Sequence, residues 1–125
     1  MVIQKVLVVD DSRTEQVYLS DLLQKQGMTV RIAGNADEAM QSIQVERPDL
    51  ILMDVVMPGK NGFQLTRTIT KDPVYADIPI IICTSKGQDT DKVWGMRQGA
   101  KGYLVKPVKP DELDKAIAAL GEGRA

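Results

Sequence analysis

Short, uninterrupted apolar runs recur along the chain, and they restrict its fold more than any other feature. Val6–Val9, Leu50–Met53 and Ile80–Cys83 contain only apolar residues, and each run stops at a polar residue. Such runs, bounded by turn residues, are typical of strands that are buried on both faces. Because helix patterns separate the runs, the sequence predicts a parallel sheet with helices packed on both faces.

Two further strands and five helices complete the pattern. The strands are predicted over Met28–Ala33, which alternates like an edge strand, and over Gly102–Lys106. The helices are predicted to begin at or near Ser12, Asn35, Gly62, Thr90 and Pro110, with the fourth ending at Gln98 and the fifth near Leu120. Five strand–helix repeats with right-handed crossovers predict an α/β, doubly wound, flavodoxin-like (βα)5 fold with strand order 2-1-3-4-5. We expect one domain over residues 1–121 and a flexible tail over 122–125.

Composition excludes several kinds of function. The chain has no histidine, which rules out Ser-His-Asp catalysis and histidine metal sites, so any phosphohistidine donor would be another protein. A single cysteine excludes an intrachain disulfide and suits a cytoplasmic location. The net charge of −1 favours no nucleic-acid partner. No apolar run approaches the ~20 residues of a membrane span, so we expect no membrane insertion.

Polar residues with chemical potential lie where four of the strands end. The first strand leads to Asp10 and Asp11, the third to Asp54, the fourth to Thr84 and the fifth to Lys106. The carboxyl ends of parallel strands share one edge of a sheet, so these side chains should meet. Clustered carboxylates repel one another unless a cation joins them, and Mg²⁺ suits a few carboxylates plus water. A hydroxyl and an ammonium beside them could neutralise a phosphoryl group in transfer to a carboxylate.

Each of these residues also has a simpler interpretation. Asp54 and Thr84 could cap turns, Asp10 and Asp11 could cap the first helix, and Lys106 could be a solvated lysine. Any one of these residues could stand at a strand end by chance. It is much less credible that all of them stand at four strand ends by chance.

The segments at these strand ends resemble the response-regulator receiver domain of two-component signalling, and the resemblance covers essentially the whole chain. The matching segments are Val8–Ser12, Asp54–Gly62, Ile80–Ser85 and Gly99–Pro107. A further segment, Trp94–Ala100, is similar to stand-alone receivers of the twitching-motility and chemotaxis type. The chain has no room for an output domain, so we expect a single-domain response regulator rather than an enzyme.

The resemblance implies roles for the strand-end residues. Asp54 would be the phosphoacceptor, and Asp10 and Asp11 would hold Mg²⁺ with it, the Val56 carbonyl being a further ligand. The phosphoryl group would come from a partner histidine kinase. The downstream target would be a protein that controls motility or taxis.

The resemblance also implies a switch. Thr84 and Lys106 would contact the phosphoryl group, and Lys106–Pro107 would be a cis peptide. An inward shift of Thr84 would let Tyr103 turn inward and change the face made by helix four, strand five and helix five. The simpler interpretation is that Tyr103 is an ordinary half-buried strand aromatic.

Three other classes of protein fit these residues less well. A haloacid-dehalogenase phosphatase would carry an Asp-x-Asp motif on its first strand, whereas Asp10 and Asp11 are adjacent here. A flavodoxin would need a neutral phosphate loop after that strand, and the two aspartates would repel its ligand. An interaction module with a relic site would lack some of the expected residues, and none is missing.

Overall fold

Strands and helices alternate strictly along residues 3–122, the part of the chain that the computed structural model describes. The strands are β1 (Lys5–Val9), β2 (Thr29–Ala33), β3 (Leu50–Met53), β4 (Ile80–Thr84) and β5 (Gly102–Val105). The helices are α1 (Arg13–Gln24), α2 (Ala36–Val45), α3 (Gly62–Lys71), α4 (Asp89–Arg97) and α5 (Pro110–Glu122). Each strand is followed by a helix, which confirms the predicted repeat.

The strands form one parallel sheet in the order β2-β1-β3-β4-β5, as the sequence predicted. The register aligns Val9 of β1 with Met53 of β3, and Thr84 of β4 with Val105 of β5. The residues that follow these strands therefore emerge side by side. In particular, Asp10 and Asp54 leave neighbouring strands at the same level of the sheet.

The apolar strands are buried on both faces because successive residues point to opposite sides. On one face, Leu7, Ile51 and Ile80 pack with residues of α2 and α3. On the other face, Val8, Leu52 and Ile81 pack with residues of α1 and α5. Each fully buried aliphatic side chain contributes about 1.5–3 kcal/mol, so these two clusters hold the strand ends in a rigid frame.

Side-chain caps determine where three of the helices begin. The Ser12 hydroxyl accepts a hydrogen bond from the Glu15 N–H, and the Asn35 side chain accepts one from the Glu38 N–H. Asn61 and Gln64 cap α3 reciprocally, each side chain accepting from the other's backbone N–H. These bonds satisfy backbone donors that a helix leaves unpaired at its first turn.

Several predicted boundaries differ from the observed ones by one or two residues. The helix predicted from Ser12 begins at Arg13, because Ser12 is the cap, and α4 spans Asp89–Arg97 instead of Thr90–Gln98. The second strand begins at Thr29 and the fifth ends at Val105.

The last helix also ends further along the chain than the sequence predicted. Helix α5 continues past Gly121 to Glu122, the first residue of the predicted tail. Glycine costs a helix about 1 kcal/mol but does not end it by itself. Residues 123–125 of that tail lie outside the described residues.

Candidate functional site

The carboxyl ends of β1, β3, β4 and β5 form one edge of the sheet, which we call the rim. Three carboxylates meet at the part of the rim where β1 and β3 end. One oxygen from each of Asp10, Asp11 and Asp54 lies within 4.8 Å of the others. Asp10 and Asp54 are only 1% and 6% exposed, whereas Asp11 is open to solvent. The strand order thus brings these predicted site residues together, and their oxygens suit a hard divalent cation.

Backbone hydrogen bonds orient the two buried carboxylates. Asp10 Oδ1 accepts from the Ser12 N–H at 2.8 Å, and Asp54 Oδ1 accepts from the Val55 N–H at 2.8 Å. The side-chain amide of Gln16 donates to the Asp10 carbonyl at 2.6 Å. The other oxygen of each aspartate, Oδ2, faces the Lys106 ammonium.

Lys106 supplies the positive charge between these carboxylates. Its Nζ lies 2.8 Å from Asp10 Oδ2 and 3.4 Å from Asp54 Oδ2, and 15% of its side chain is exposed. Burial works to lower the pKa of Lys106, but the hydrogen bond to Asp10 and the attraction of both carboxylates raise it above its usual value. Lys106 is therefore a permanent cation at this site.

The surroundings of Asp54 disfavour the charged form of its carboxyl group relative to the neutral form. Burial is the main cause that raises the pKa of Asp54, and repulsion from Asp10 adds to it. Lys106, the Val55 N–H and the Thr84 hydroxyl offset only part of this rise. An added cation would remove the remaining repulsion, so the electrostatics of the rim favour cation binding.

Thr84 and Tyr103 are linked through the backbone of Lys86. The Lys86 N–H donates to the hydroxyl of the fully buried Thr84 at 3.4 Å, a long and therefore weak hydrogen bond. The Tyr103 hydroxyl donates to the Lys86 carbonyl at 2.6 Å. Burial raises the pKa of Tyr103 to about 12, aided by repulsion from Asp91 and Asp54, so the phenol keeps its proton. The sequence singled out Thr84 and Tyr103 but not this connection.

Two glycines allow close approaches that the sequence analysis missed. A Cβ at Gly62 would lie 1.9 Å from the backbone oxygen of Asp54. A Cβ at Gly95 would lie 2.8 Å from Ile82 and 3.0 Å from ring atoms of Tyr103. The signal in the sequence was the presence of glycine in a predicted helix. Glycine lowers helix stability by about 1 kcal/mol relative to alanine, so close packing is one reason to find it there.

Two other expectations concern the loops of the rim. The Lys106–Pro107 peptide is cis, as the resemblance implied. Val56 lies in the loop after Asp54 with 55% of its surface exposed. The role of its carbonyl as a metal ligand stays a prediction.

Comparison with known proteins identifies a family for this chain. The family model "Response regulator receiver domain" matches residues 6–118. The protein PilH of Pseudomonas aeruginosa is 50% identical over 119 residues, which are 95% of this chain and 98% of PilH. The DNA-binding response regulator MtrA of Mycobacterium tuberculosis is 34% identical over 93% of this chain, which spans 50% of MtrA.

Solved structures agree with the sequence comparison. The chemotaxis response regulator CheY4 of Vibrio cholerae has 34% identity and a TM-score of 0.86, covering 95% of this chain and 99% of CheY4. A response regulator of Chloroflexus aurantiacus has 33% identity and a TM-score of 0.90, covering 95% of this chain and 98% of the other.

No helix within residues 3–122 combines the length and the apolar character that crossing a bilayer requires.

Proposed function

The chain belongs to the response regulator receiver domain family, and from that membership we propose that it accepts a phosphoryl group on Asp54 from a partner histidine kinase. Phosphorylation is Mg²⁺-dependent and switches the face formed by α4, β5 and α5, which controls a partner protein. One observation carries the proposal: the buried carboxylate of Asp54 lies beside two other carboxylates and a lysine ammonium. The match to nearly the full length of PilH supports a single-domain regulator.

The residues of the rim have complementary tasks in the transfer. A carboxylate oxygen of Asp54 attacks phosphorus while the bond from phosphorus to the donor's histidine nitrogen breaks. Asp10, Asp11, Asp54 and the Val56 carbonyl would hold Mg²⁺, whose charge would neutralise the phosphoryl oxygens.

Thr84 and Lys106 act on the phosphoryl group itself. The Thr84 hydroxyl and the Lys106 ammonium bind its oxygens, because both side chains already border Asp54. Lys106 holds two carboxylates in the described structure, so a new phosphoryl group competes with Asp10 for its ammonium.

The process that the protein controls is proposed to be motility or taxis. The protein itself is proposed to act in the cytoplasm. The likeness to chemotaxis protein CheY4 and the resemblance of Trp94–Ala100 to twitching-motility and chemotaxis receivers support this output. The proposed partners are a histidine kinase and a downstream protein, with no nucleic acid and no membrane insertion.

Acetyl phosphate provides the direct test of the proposed function. We expect one phosphoryl group per chain in the presence of Mg²⁺ and none in the presence of EDTA, measured by intact mass. A chain that acetyl phosphate and Mg²⁺ leave unlabelled would instead be an interaction module that does not use the site.

Mg²⁺ should stabilise the wild-type fold much more than it stabilises Asp11→Ala. A ligand at 100 times its Kd adds about 2.7 kcal/mol to the free energy of unfolding. Asp11 is exposed, so its replacement leaves the core intact while removing one oxygen donor. Thermal melts with and without Mg²⁺ measure the effect, and Asp21→Ala, an exposed aspartate on α1, is the matched control. Equal Mg²⁺ shifts in wild type and Asp11→Ala would show that Asp11 is not a ligand.

The fluorescence of Trp94 should respond to a beryllofluoride mimic of phosphorylation more than to Mg²⁺ alone. Movement of Thr84 toward the phosphoryl group would break its weak bond to the Lys86 N–H and loosen the Tyr103–Lys86 bond. The Tyr103 ring contacts α4 at Gly95, next to Trp94, so its reorientation would alter the surroundings of the indole. The required bias is a few kcal/mol if the two states lie close in energy.

The same fluorescence change should weaken in Thr84→Ala and persist in Ser85→Ala. Ser85 is the neighbouring exposed hydroxyl residue, so its variant controls for loss of a hydroxyl in this loop. Unchanged fluorescence and partner binding in wild type with the mimic would exclude this switch even if Asp54 is phosphorylated.

A further inference from the structure

A hydrogen bond ties helix α1 to the loop that begins at Lys106. The Tyr18 hydroxyl, on the second turn of α1, donates to the Val108 carbonyl at 2.5 Å, across 90 residues of sequence. Val108 lies two residues beyond Lys106, and its side chain is buried in the cluster to which α1 and α5 contribute. Helix α1 therefore holds both the side chain and the backbone of Val108.

The backbone on both sides of Lys106 is anchored, but by different parts of the fold. Before it, the Lys106 N–H donates to the Thr84 carbonyl at 2.8 Å, so the sheet fixes the preceding peptide. After it, the path of the chain depends on Val108 and thus on Tyr18. Because peptide units are planar, the direction of a Cα–Cβ bond follows from the two peptides that flank it. Tyr18 thus helps to decide where the Lys106 side chain starts.

The other end of Lys106 is held as well. Its Nζ lies 2.8 Å from Asp10 Oδ2 and 3.4 Å from Asp54 Oδ2, and only 15% of the side chain is exposed. Asp10 precedes the first residue of α1, Arg13, by three positions. The region of α1 therefore contacts Lys106 at both ends, the ammonium through Asp10 and the following backbone through Tyr18. A shift of the loop would change the reach of a side chain that has little room to adjust.

We propose that Tyr18 is a positioning residue for phosphoryl transfer, which sets the place of the Lys106 ammonium through the Val108 carbonyl. This role rests on the proposed functions of Asp54 and Lys106. The ammonium has to meet a phosphoryl oxygen while Asp54 attacks, and a misplacement of about 1 Å can cost on the order of 100-fold in rate. If Tyr18 only fastened α1 to the core, its hydroxyl would affect stability without moving the ammonium.

Tyr18→Phe removes the hydroxyl and keeps the ring. We expect the rate constant of labelling by acetyl phosphate with Mg²⁺ to fall on the order of tenfold, because the buried Val108 side chain limits the shift of the loop. Tyr75→Phe is the matched control, since it makes the same change in the α3–β4 loop, against the opposite face of the sheet. Its rate constant should equal that of the wild type. An unchanged rate constant in Tyr18→Phe overturns the inference.

An NMR measurement separates positioning from stability. The nitrogen signal of the Lys106 ammonium depends on its hydrogen-bond partners, and it is recorded without Mg²⁺ and without a phosphodonor. We expect this signal to shift in Tyr18→Phe and to stay in place in Tyr75→Phe, under conditions where urea denaturation shows both variants to be fully folded. An unchanged Lys106 signal in Tyr18→Phe would reject the role, whatever its rate of labelling.

Lys106→Met tests whether Tyr18 acts through the ammonium. Without the ammonium there is nothing left to position, so adding Tyr18→Phe to Lys106→Met should change the labelling rate by less than about twofold. Labelling is followed over hours so that slow rates can be compared. A further tenfold fall in the double variant would mean that Tyr18 acts by another route, which contradicts the inference.

The wild-type protein separates this inference from the proposed function. Efficient labelling of the wild type, with an equal rate constant in Tyr18→Phe, rejects the positioning role but keeps Asp54 as the proposed phosphoacceptor. Absence of labelling in the wild type rejects the two together.

Discussion

Asp54→Asn should abolish the proposed Mg²⁺-dependent phosphorylation and leave the fold intact. The amide has the shape of the carboxylate but no charged oxygen to attack phosphorus, so labelling should fall to the background level. The Val55 N–H can still donate to the side-chain oxygen, and Lys106 keeps its 2.8 Å bond to Asp10. The variant should therefore remain correctly assembled around an inactive acceptor.

Without metal, Asp54→Asn should be at least as stable as the wild type. Burial and the neighbouring Asp10 carboxylate both disfavour a charged Asp54, as its raised pKa indicates. A neutral side chain removes that repulsion. Intact mass after incubation with acetyl phosphate and urea denaturation without Mg²⁺ measure the two effects.

Asp21→Asn is the control for Asp54→Asn, because Asp21 is an exposed aspartate away from the rim. It should be labelled like the wild type. A stable phosphoryl group on Asp54→Asn would show that another residue accepts the phosphoryl group.

Gly62→Ala should destabilise the protein by about 3 kcal/mol or more. The added Cβ would lie 1.9 Å from the Asp54 backbone oxygen and 2.8 Å from the Asp54 carbonyl carbon and Val55 Cα. These are backbone atoms, so no side-chain rotation relieves the overlap, and such overpacking commonly costs about 1–3 kcal/mol and sometimes more. The intrinsic preference of helices for alanine over glycine, about 1 kcal/mol, works in the opposite direction. A net loss of stability in Gly62→Ala would therefore have to come from the steric overlap and not from helix propensity.

The urea midpoint measures this loss, and acetyl phosphate labelling measures its effect on the site. Labelling should fall because the overlap pushes on the backbone of Asp54, the proposed phosphoacceptor. Gly34→Ala is the control, since its Cβ would meet only the ends of two flexible side chains, Glu38 at 3.4 Å and Gln16 at 3.9 Å. Its free energy of unfolding should stay within about 0.5 kcal/mol of that of the wild type. Equal midpoints for Gly62→Ala and Gly34→Ala would contradict the close packing of α3 on the Asp54 loop.

The parallel sheet and the composition of the rim were predictable from local patterns. Runs such as Leu50–Met53 bury residues on both faces whatever their neighbours are, and helices between them allow few topologies. Strand order then placed Asp10, Asp54 and Lys106 at one edge, because parallel strands share their carboxyl ends. Helix ends were less predictable: the Asp91 carboxylate accepts from the Gln88 N–H and α4 begins at Asp89, while α5 continues through Gly121.

Contacts between distant elements could be decided only by the tertiary structure. The sequence marked Thr84 and Tyr103, but their connection through the Lys86 peptide depends on how the β4–α4 loop lies against β5. Gly95 could be recognised only as a weak helix residue, whereas its contact with the Tyr103 ring depends on how closely α4 approaches the sheet. Residue patterns along a chain encode which face is buried, because periodicity is local. They do not encode the separation of two packed elements, which results from all the side chains between them.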